Sequence, residues 1–399
     1  MSVEICGVGC TSAPGTTHVS KSFKEMLVEA VSEAVNDACI SWDEIDGASF
    51  SYAGEGEIGY GGVTPTLVDD LGLSSIPAYI NIANCASAHA AFLQGCEMIE
   101  SGEYKYVVVS GFDKYSDVLP FENYMLISTD SLYDYNLGFS HIDSFLFQQE
   151  YFRKYRISEK KLRDGMLKFA RTMRLYGSQN STASFYNKRV PSNEQLSRMP
   201  LWGNAMEAGE GASAVILTKS ENNKNKRYAP IKVAGKSMVT SSHYAAHRYH
   251  PELIKQLRGK KNSGGFYNGL PLKLAIDKAY GQAEISAKDV DIMELYDQGV
   301  NSMISIEASG ICEEGKALDF ILDGNIEKSG RCPINTDGGN IARGHAGGGA
   351  SLYQIIELVR QMQGRSKGVQ IEKSLQYGLS SVIGGTFATS IAVVLERKI

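Results

Sequence analysis

Apolar and polar positions along this chain switch between two periods, and the switches mark out the elements. The sequence of residues 3–8 reads as a buried strand, followed by a loop over 9–20. Met26, Leu27, Ala30, Val31, Ala34 and Val35 then recur at helical spacing. Ser22, with Glu25 three residues on, is a capping box, so the spacing predicts a helix over 23–39. Strands are predicted at 48–52 and 76–80, with a glycine-rich loop from 54 to 62 and a further element at 66–71. From 85 to 100 the residues are small and apolar, with no proline and almost no charge, which reads as a helix buried on several sides. Gly102 ends it, and a β-branched strand follows at 106–111.

Residues 115–205 break the rhythm. They are rich in tyrosine and polar residues, with helical pieces at 144–155 and 158–174, and read as an insertion covering a site. A buried strand returns at 209–217, and the polar stretch 221–230 reads as a solvated linker.

After the linker the pattern repeats. Residues 231–235 parallel the first strand, and a helix is predicted at 271–280. Ile285 to Asp291 matches Ile40 to Asp46, and each is followed by a strand, at 292–296 and 48–52. The glycine-rich run 338–349 leads into a helix at 352–362, and a last strand at 388–395 matches 212–217. The repeat predicts two similar halves, 1–220 and 231–399, of mostly parallel sheets covered by helices, an α/β fold. It also predicts that equivalent helix starts meet near a pseudo-two-fold axis, with Cys85 and His345 at equivalent places.

Composition narrows the function. With 399 residues there is room for two cores, and a formal net charge of −5 without long basic runs argues against nucleic acid and anionic membranes as partners. The first residues run straight into a strand, which predicts no signal peptide, and no apolar stretch reaches membrane-spanning length. Seven scattered cysteines without CxxC pairs argue for a reducing cytoplasm and against disulfides and structural zinc.

Cys85 is the candidate nucleophile. It lies at a strand-to-helix turn, where free N–H groups and the helix dipole are expected to lower its pKa and to hold an oxyanion built on its sulfur. The alternative is a small buried residue without chemistry, a common fate of a free cysteine.

Three stretches resemble the thiolase superfamily, over essentially the whole chain: Asn84-Cys85-Ala86-Ser87, the run from Asn335 to Ala346, and Val382-Ile383-Gly384-Gly385. The resemblance implies a thiolase fold, five-layered αβαβα from two similar halves, in a dimer or larger assembly. It implies a cysteine acyl-enzyme on Cys85, activation by His345, and an oxyanion hole from the backbone N–H groups of Cys85 and Gly384. Three positions depart from the usual thiolase pattern. Val382 stands where thiolases carry a second cysteine, the base of Claisen chemistry. Glu294-Leu295-Tyr296-Asp297 stands where sterol-carrier-type thiolases have histidine–aspartate, and Ala346 replaces a proline. These departures are similar to the thiolase-like C subunits of bacterial diacetylphloroglucinol acetyltransferase complexes, as are 22–26, 54–56, 60–62 and Ser140-His141-Ile142-Asp143. Gly347 and Ala53 differ from that pattern, which has serine and histidine there. The resemblance further implies a homo-oligomer in complex with a second, hydroxymethylglutaryl-CoA-synthase-like subunit of the superfamily and a small OB-fold zinc-ribbon subunit. No metal or cofactor is expected on this chain.

Candidate pocket residues are His141, Tyr296, Asp297, Tyr124 and Gly347. His243, His247 and His250 have metal-like spacing but lack an accompanying carboxylate or cysteine; His89 reads as packed, and Cys312 and Cys332 as structural. Gly54-Glu55-Gly56-Glu57 lacks the lysine of a phosphate loop. Three functions stay open: C-acylation of an electron-rich phenolic ring, a CoA-dependent thiolase or Claisen-type synthase, and an acyl-binding subunit without turnover. Cys85 with His345 argues against the last, and Val382 against the second.

Overall fold

The computed structural model describes residues 2–54, 62–117, 140–241, 243, 269–349, 351–385 and 387–398. Strands β1 (Val3–Cys10), β2 (Gly47–Ser51), β3 (Ala78–Asn81), β4 (Tyr106–Asp113) and β5 (Gly211–Lys219) come from the first half. Strands β6 (Ile231–Thr240), β7 (Ile292–Leu295), β8 (Tyr377–Gly384) and β9 (Thr389–Arg397) come from the second. They form one nine-stranded sheet in the order β3-β2-β4-β5-β1-β6-β9-β8-β7. Read outward from the β1/β6 seam, the halves run 1-5-4-2-3 and 6-9-8-7, the same order under the repeat. An isolated bridge from Met293 to Ile334 lies where the second half lacks its third strand. The seam itself is short: Glu4 faces Lys232 and Ile5 faces Ile231.

The sheet is mixed, which corrects the expectation of mostly parallel strands. Only β2/β3, β2/β4 and β7/β8 pair in parallel. The last strand of each half, β5 or β9, inserts antiparallel between its neighbours. Serine-rich β8 was not predicted at all. Ser380 and Ser381 are fully buried at its centre, so apolar periodicity is absent from a strand that is nonetheless core.

Helix α1 (Phe23–Ala38) begins as the capping box requires: Glu25 Oε2 accepts the Ser22 N–H at 2.8 Å, and Ser22 Oγ accepts the Glu25 N–H at 3.3 Å. Its stripe packs on one face of β1, β4 and β5 with Phe50, Phe112 and Ile216. Helix α2 (Ser87–Ser101) covers the other face. In the insertion lie α3 (Ser140–Tyr155) and α4 (Glu159–Gln179), each longer than expected. Helix α5 (Leu270–Ala283) packs outside β6 and β9. Helix α6 (Tyr353–Met362) is buried along its entire length against β7 and β8. One apolar cluster joins α2, α6 and strands of both halves, including Phe92, Val109, Ile355, Leu358 and Val393. The layers are therefore α1, the first-half strands, α2 with α6, the second-half strands, and α5, the one sheet serving twice. This is the α/β thiolase fold in five layers.

The stretch after β5 is mostly exposed or half-buried, but it is anchored at two points. Asn223 and Asn225 are buried, and their amides donate to Glu4 Oε2 at 2.8 Å and to the Cys6 carbonyl at 2.9 Å. Short polar side chains there replace a strand partner for the β1 backbone, a role composition does not reveal.

Candidate active site

Cys85 sits in the turn between β3 and α2. Asn84 takes a left-handed conformation, φ +51°, which swings the next residue out of the strand direction. Ser87 holds the turn from inside: its hydroxyl donates to the Asn84 carbonyl at 2.7 Å and accepts the Ala83 N–H at 2.8 Å. Helix α2 starts two residues after Cys85, not at it. The first N–H groups are already taken, Ala86 by the Ala83 carbonyl, Ser87 by Asn84 and Ala88 by the Gly348 carbonyl at 2.9 Å. The thiol therefore receives little of the expected help from the helix start. Burial pushes its pKa above the ordinary value, while the Tyr296 hydroxyl and the residue's own N–H pull it back. The expected lowering is corrected in sign.

The glycine-rich run of the second half closes over this turn. A Cβ on Gly348 would lie 1.7 Å from the Asn84 oxygen, and one on Gly384 would lie 2.0 Å from the Ala83 oxygen. Both glycines are required by close approach of backbones, and that approach joins the Cys85 turn to the loop bearing His345 and to the end of β8. Gly384 thus stands against the Cys85 turn.

His345 is buried, with its N–H on the Glu207 carbonyl at 2.8 Å and its carbonyl accepting from Gly209 at 2.9 Å. Burial, reinforced by nearby Arg343, lowers its pKa to about 4, so the ring is neutral at neutral pH. Tyr296 follows β7 and connects the two groups. Its ring meets the His345 ring edge-on, 5.7 Å between centroids at 87°, and its hydroxyl acts on the Cys85 thiol by lowering that thiol's pKa. Burial holds Tyr296 well above its usual pKa, so it stays a donor. Tyr296, His345, Gly347 and Val382 line one cavity with Asn340, Arg343, Gly344, Ala346, Ser351 and Gln354.

Asp297 lies beneath Tyr296 and is not among the residues lining the cavity. Its Oδ1 accepts the Asn340 N–H at 2.7 Å, and burial raises its pKa to about 7. Arg343 pairs with Asp337 at 2.7 Å and donates to Asn340 Oδ1 at 2.6 Å, so the run 335–345 is braced from within. Tyr124 lies outside the described residues. The backbone of His141 is in the first turn of α3 rather than in a loop, and its side chain lies outside what is described. Of the histidine trio, only His243 is described, and no metal-ligating cluster occurs among the described residues. Ala53 packs with Tyr115 and Met206, and the Met206 sulfur is 4.0 Å from the Tyr296 hydroxyl. Met206, Asn340, Ser351 and Gln354 were not singled out from the sequence. The available signal was Gln354, a polar residue on the predicted helix, with Ser351 just before its start.

That hydroxyl makes a testable difference. In Tyr296→Phe the thiolate loses the stabilisation that the hydroxyl gives it, and alkylation of Cys85 by iodoacetamide at pH 8 is expected to slow about tenfold, the factor of one pKa unit. An unchanged rate by intact mass would remove Tyr296 from this role.

Comparison with known proteins agrees with the geometry. A family model described as thiolase C-terminal domain-like matches residues 270–397. The acetyl-CoA acetyltransferase of Methanocaldococcus jannaschii is 27% identical over 390 residues, covering 95% of both chains. The chain is thus similar to thiolase-superfamily proteins along nearly its whole length. Like the relatives named acetyl-CoA acetyltransferase, this protein is an acyltransferase. Sterol carrier protein 2 of Gallus gallus is 26% identical, over 98% of this chain and 71% of that protein. Among solved structures, an Ltp2-ChsH2(DUF35) aldolase has the same fold, with TM-score 0.79, 20% identity and coverage of 100% and 99%. Human mitochondrial 3-ketoacyl-CoA thiolase overlays with TM-score 0.67 at 17% identity, covering 100% and 99%.

Proposed function

We propose that this thiolase-like protein is a C-acyltransferase that passes an acetyl group from Cys85 to a ring carbon of an electron-rich phenolic acceptor. In this reading the Cys85 proton moves to neutral His345 as sulfur attacks the donor carbonyl. The C–S bond forms, and the leaving group departs with the proton from His345. The ring carbon then attacks the acyl-enzyme, the C–S bond breaks, and the ring proton returns to the thiol by way of the base. The N–H groups of Cys85 and Gly384 are assigned to the oxyanion.

The observation that carries the acceptor class is Val382. It lines the cavity beside Tyr296 and His345, and it can neither give nor take a proton. An acceptor that must first lose an α-proton finds no second base there. A polyhydroxylated ring is nucleophilic at carbon once a phenol is partly deprotonated and needs chiefly positioning. The resemblance to the C subunits of diacetylphloroglucinol acetyltransferase complexes supports the same class. Parallel assays decide: acetyl exchange between acylated phloroglucinols is expected, with little cleavage of acetoacetyl-CoA by CoA. Robust CoA-dependent cleavage without phenol acylation would establish the CoA-dependent thiolase instead.

We also propose that the chain acts in a cytoplasmic complex, with a second superfamily subunit and a small OB-fold zinc-ribbon subunit. The two-component name of the aldolase structure supports a partner, and seven free thiols suit a reducing compartment. Co-expression with candidate partners and mass measurement of the purified species test this. Full activity from this chain alone would refute it.

A further inference from the structure

His89 takes no part in the chemistry above, yet it is buried on α2 one turn past Cys85. Its Nδ1 lies 3.1 Å from Ser351 Oγ, and its Nε2 lies 2.8 Å from Ser380 Oγ. Ser380 Oγ lies 3.4 Å from Gln354 Oε1. Ser351 and Gln354 line the cavity with His345 and Tyr296. Four residues from α2, β8 and the start of α6 thus make one chain of hydrogen bonds, with both ends at the cavity.

The chain has a fixed logic. Burial holds the His89 pKa down at about 3, so the ring is neutral, with one N–H donor and one acceptor nitrogen. With hydrogen on Nε2, His89 donates to Ser380, and Ser380 donates to the Gln354 carbonyl. The Gln354 amide hydrogens are then left for the cavity. Nδ1 accepts from Ser351, whose lone pairs are left for the cavity. With hydrogen on Nδ1 and the Gln354 amide turned over, every sense reverses. Ser351 then offers its hydrogen to the cavity, and Gln354 its oxygen. Both states show the cavity one donor and one acceptor. A hydroxyl satisfies the pair, since it gives and takes one hydrogen bond. An ether or carbonyl oxygen or a carboxylate satisfies only the donor and strands the other group.

We propose that Ser351 and Gln354 form a hydroxyl-binding subsite of the cavity, and that His89 is the positioning residue that matches their polarity to each other. The subsite takes one hydroxyl of the acyl acceptor. It depends on the acyl-transfer reading only for the molecule that carries that hydroxyl.

Equilibrium binding of two probes tests it: phloroglucinol, and 1,3,5-trifluorobenzene as a ring of similar size without a donor. Ser351→Ala and Gln354→Leu are each expected to weaken phloroglucinol binding about tenfold. The fluorinated ring should stay within about twofold. His89→Phe should reduce the preference for phloroglucinol in the same way, which general damage to the cavity would not do. The subsite is overturned by equal losses for both probes, by unchanged preference, or by no measurable phloroglucinol binding to the native chain. Failure of the acyl-transfer reading looks different: Cys85 carries no acetyl group, while the hydroxyl preference and its loss in the variants persist.

Discussion

Cys85→Ala is expected to abolish the acyl adduct and to cut turnover by at least about 10⁴-fold, because no other thiol is placed to replace it. Cys6, Cys10, Cys96 and Cys332 are buried, and burial raises the pKa of each. Cys312 is partly exposed, but burial and nearby Glu307 push its thiol up to about 12. Exposed Cys39 lies just past the end of α1, and no connection joins it to the cavity lining. Intact mass after incubation with acetyl donors and any partners measures the outcome. An adduct that survives the substitution unchanged would place the acyl group elsewhere. The change is small in volume, and the turn is held by Ser87, Gly348 and Gly384 rather than by sulfur, so the fold should persist.

His345→Ala is expected to slow acylation by about 10²–10⁴-fold at neutral pH, the range for loss of a positioned base. The pH dependence separates a base from a structural group. In the native protein the base form of His345 persists down to about pH 4, because protonation must overcome burial and Arg343. Acylation limited by this group should therefore stay flat from neutral pH to about 5 and fall as pH drops through about 4. In the variant, proton removal depends on solvent. Since the Cys85 thiol titrates above its ordinary 9.0, the rate should climb steadily with pH instead of reaching a plateau near neutrality. A variant with a native plateau would show that another group takes the proton.

Much of this site could be read from the residues, and the failures share a cause. Ser22 with Glu25 announced α1, and the repeated helix-then-strand pattern gave the order of both halves, because those signals are local. Cys85, His345 and Gly384 were found as motif residues, and their approach to one another depends on backbones touching at Gly348 and Gly384, which no local pattern reports. The sign of the Cys85 pKa shift was misjudged because burial raises the thiol, and the turn spends its N–H groups on Ala83, Asn84 and Gly348 instead of on sulfur. Strand β8 was missed because two buried serines, Ser380 and Ser381, interrupt its apolar side chains. Ser380 is there for His89, and Asn223 and Asn225 are there for β1. A polar residue inside a core is legible only with its partner in view.

The middle layer has a consequence for how this protein comes into being. Helices α2 and α6 lie between the strands of the two halves, and their apolar surface is shared: Phe92 and Val109 cluster with Leu358 and Val393. When the ribosome has made the first half, α2 has half a wall. Its second wall, and the Gly348 carbonyl that receives the Ala88 N–H, lie more than 200 residues downstream. The nascent first half must wait with an uncovered apolar helix, in the state that chaperones recognise and that aggregates when they are scarce. The duplication that built the site therefore made two copies of a unit, neither of which is finished without the other.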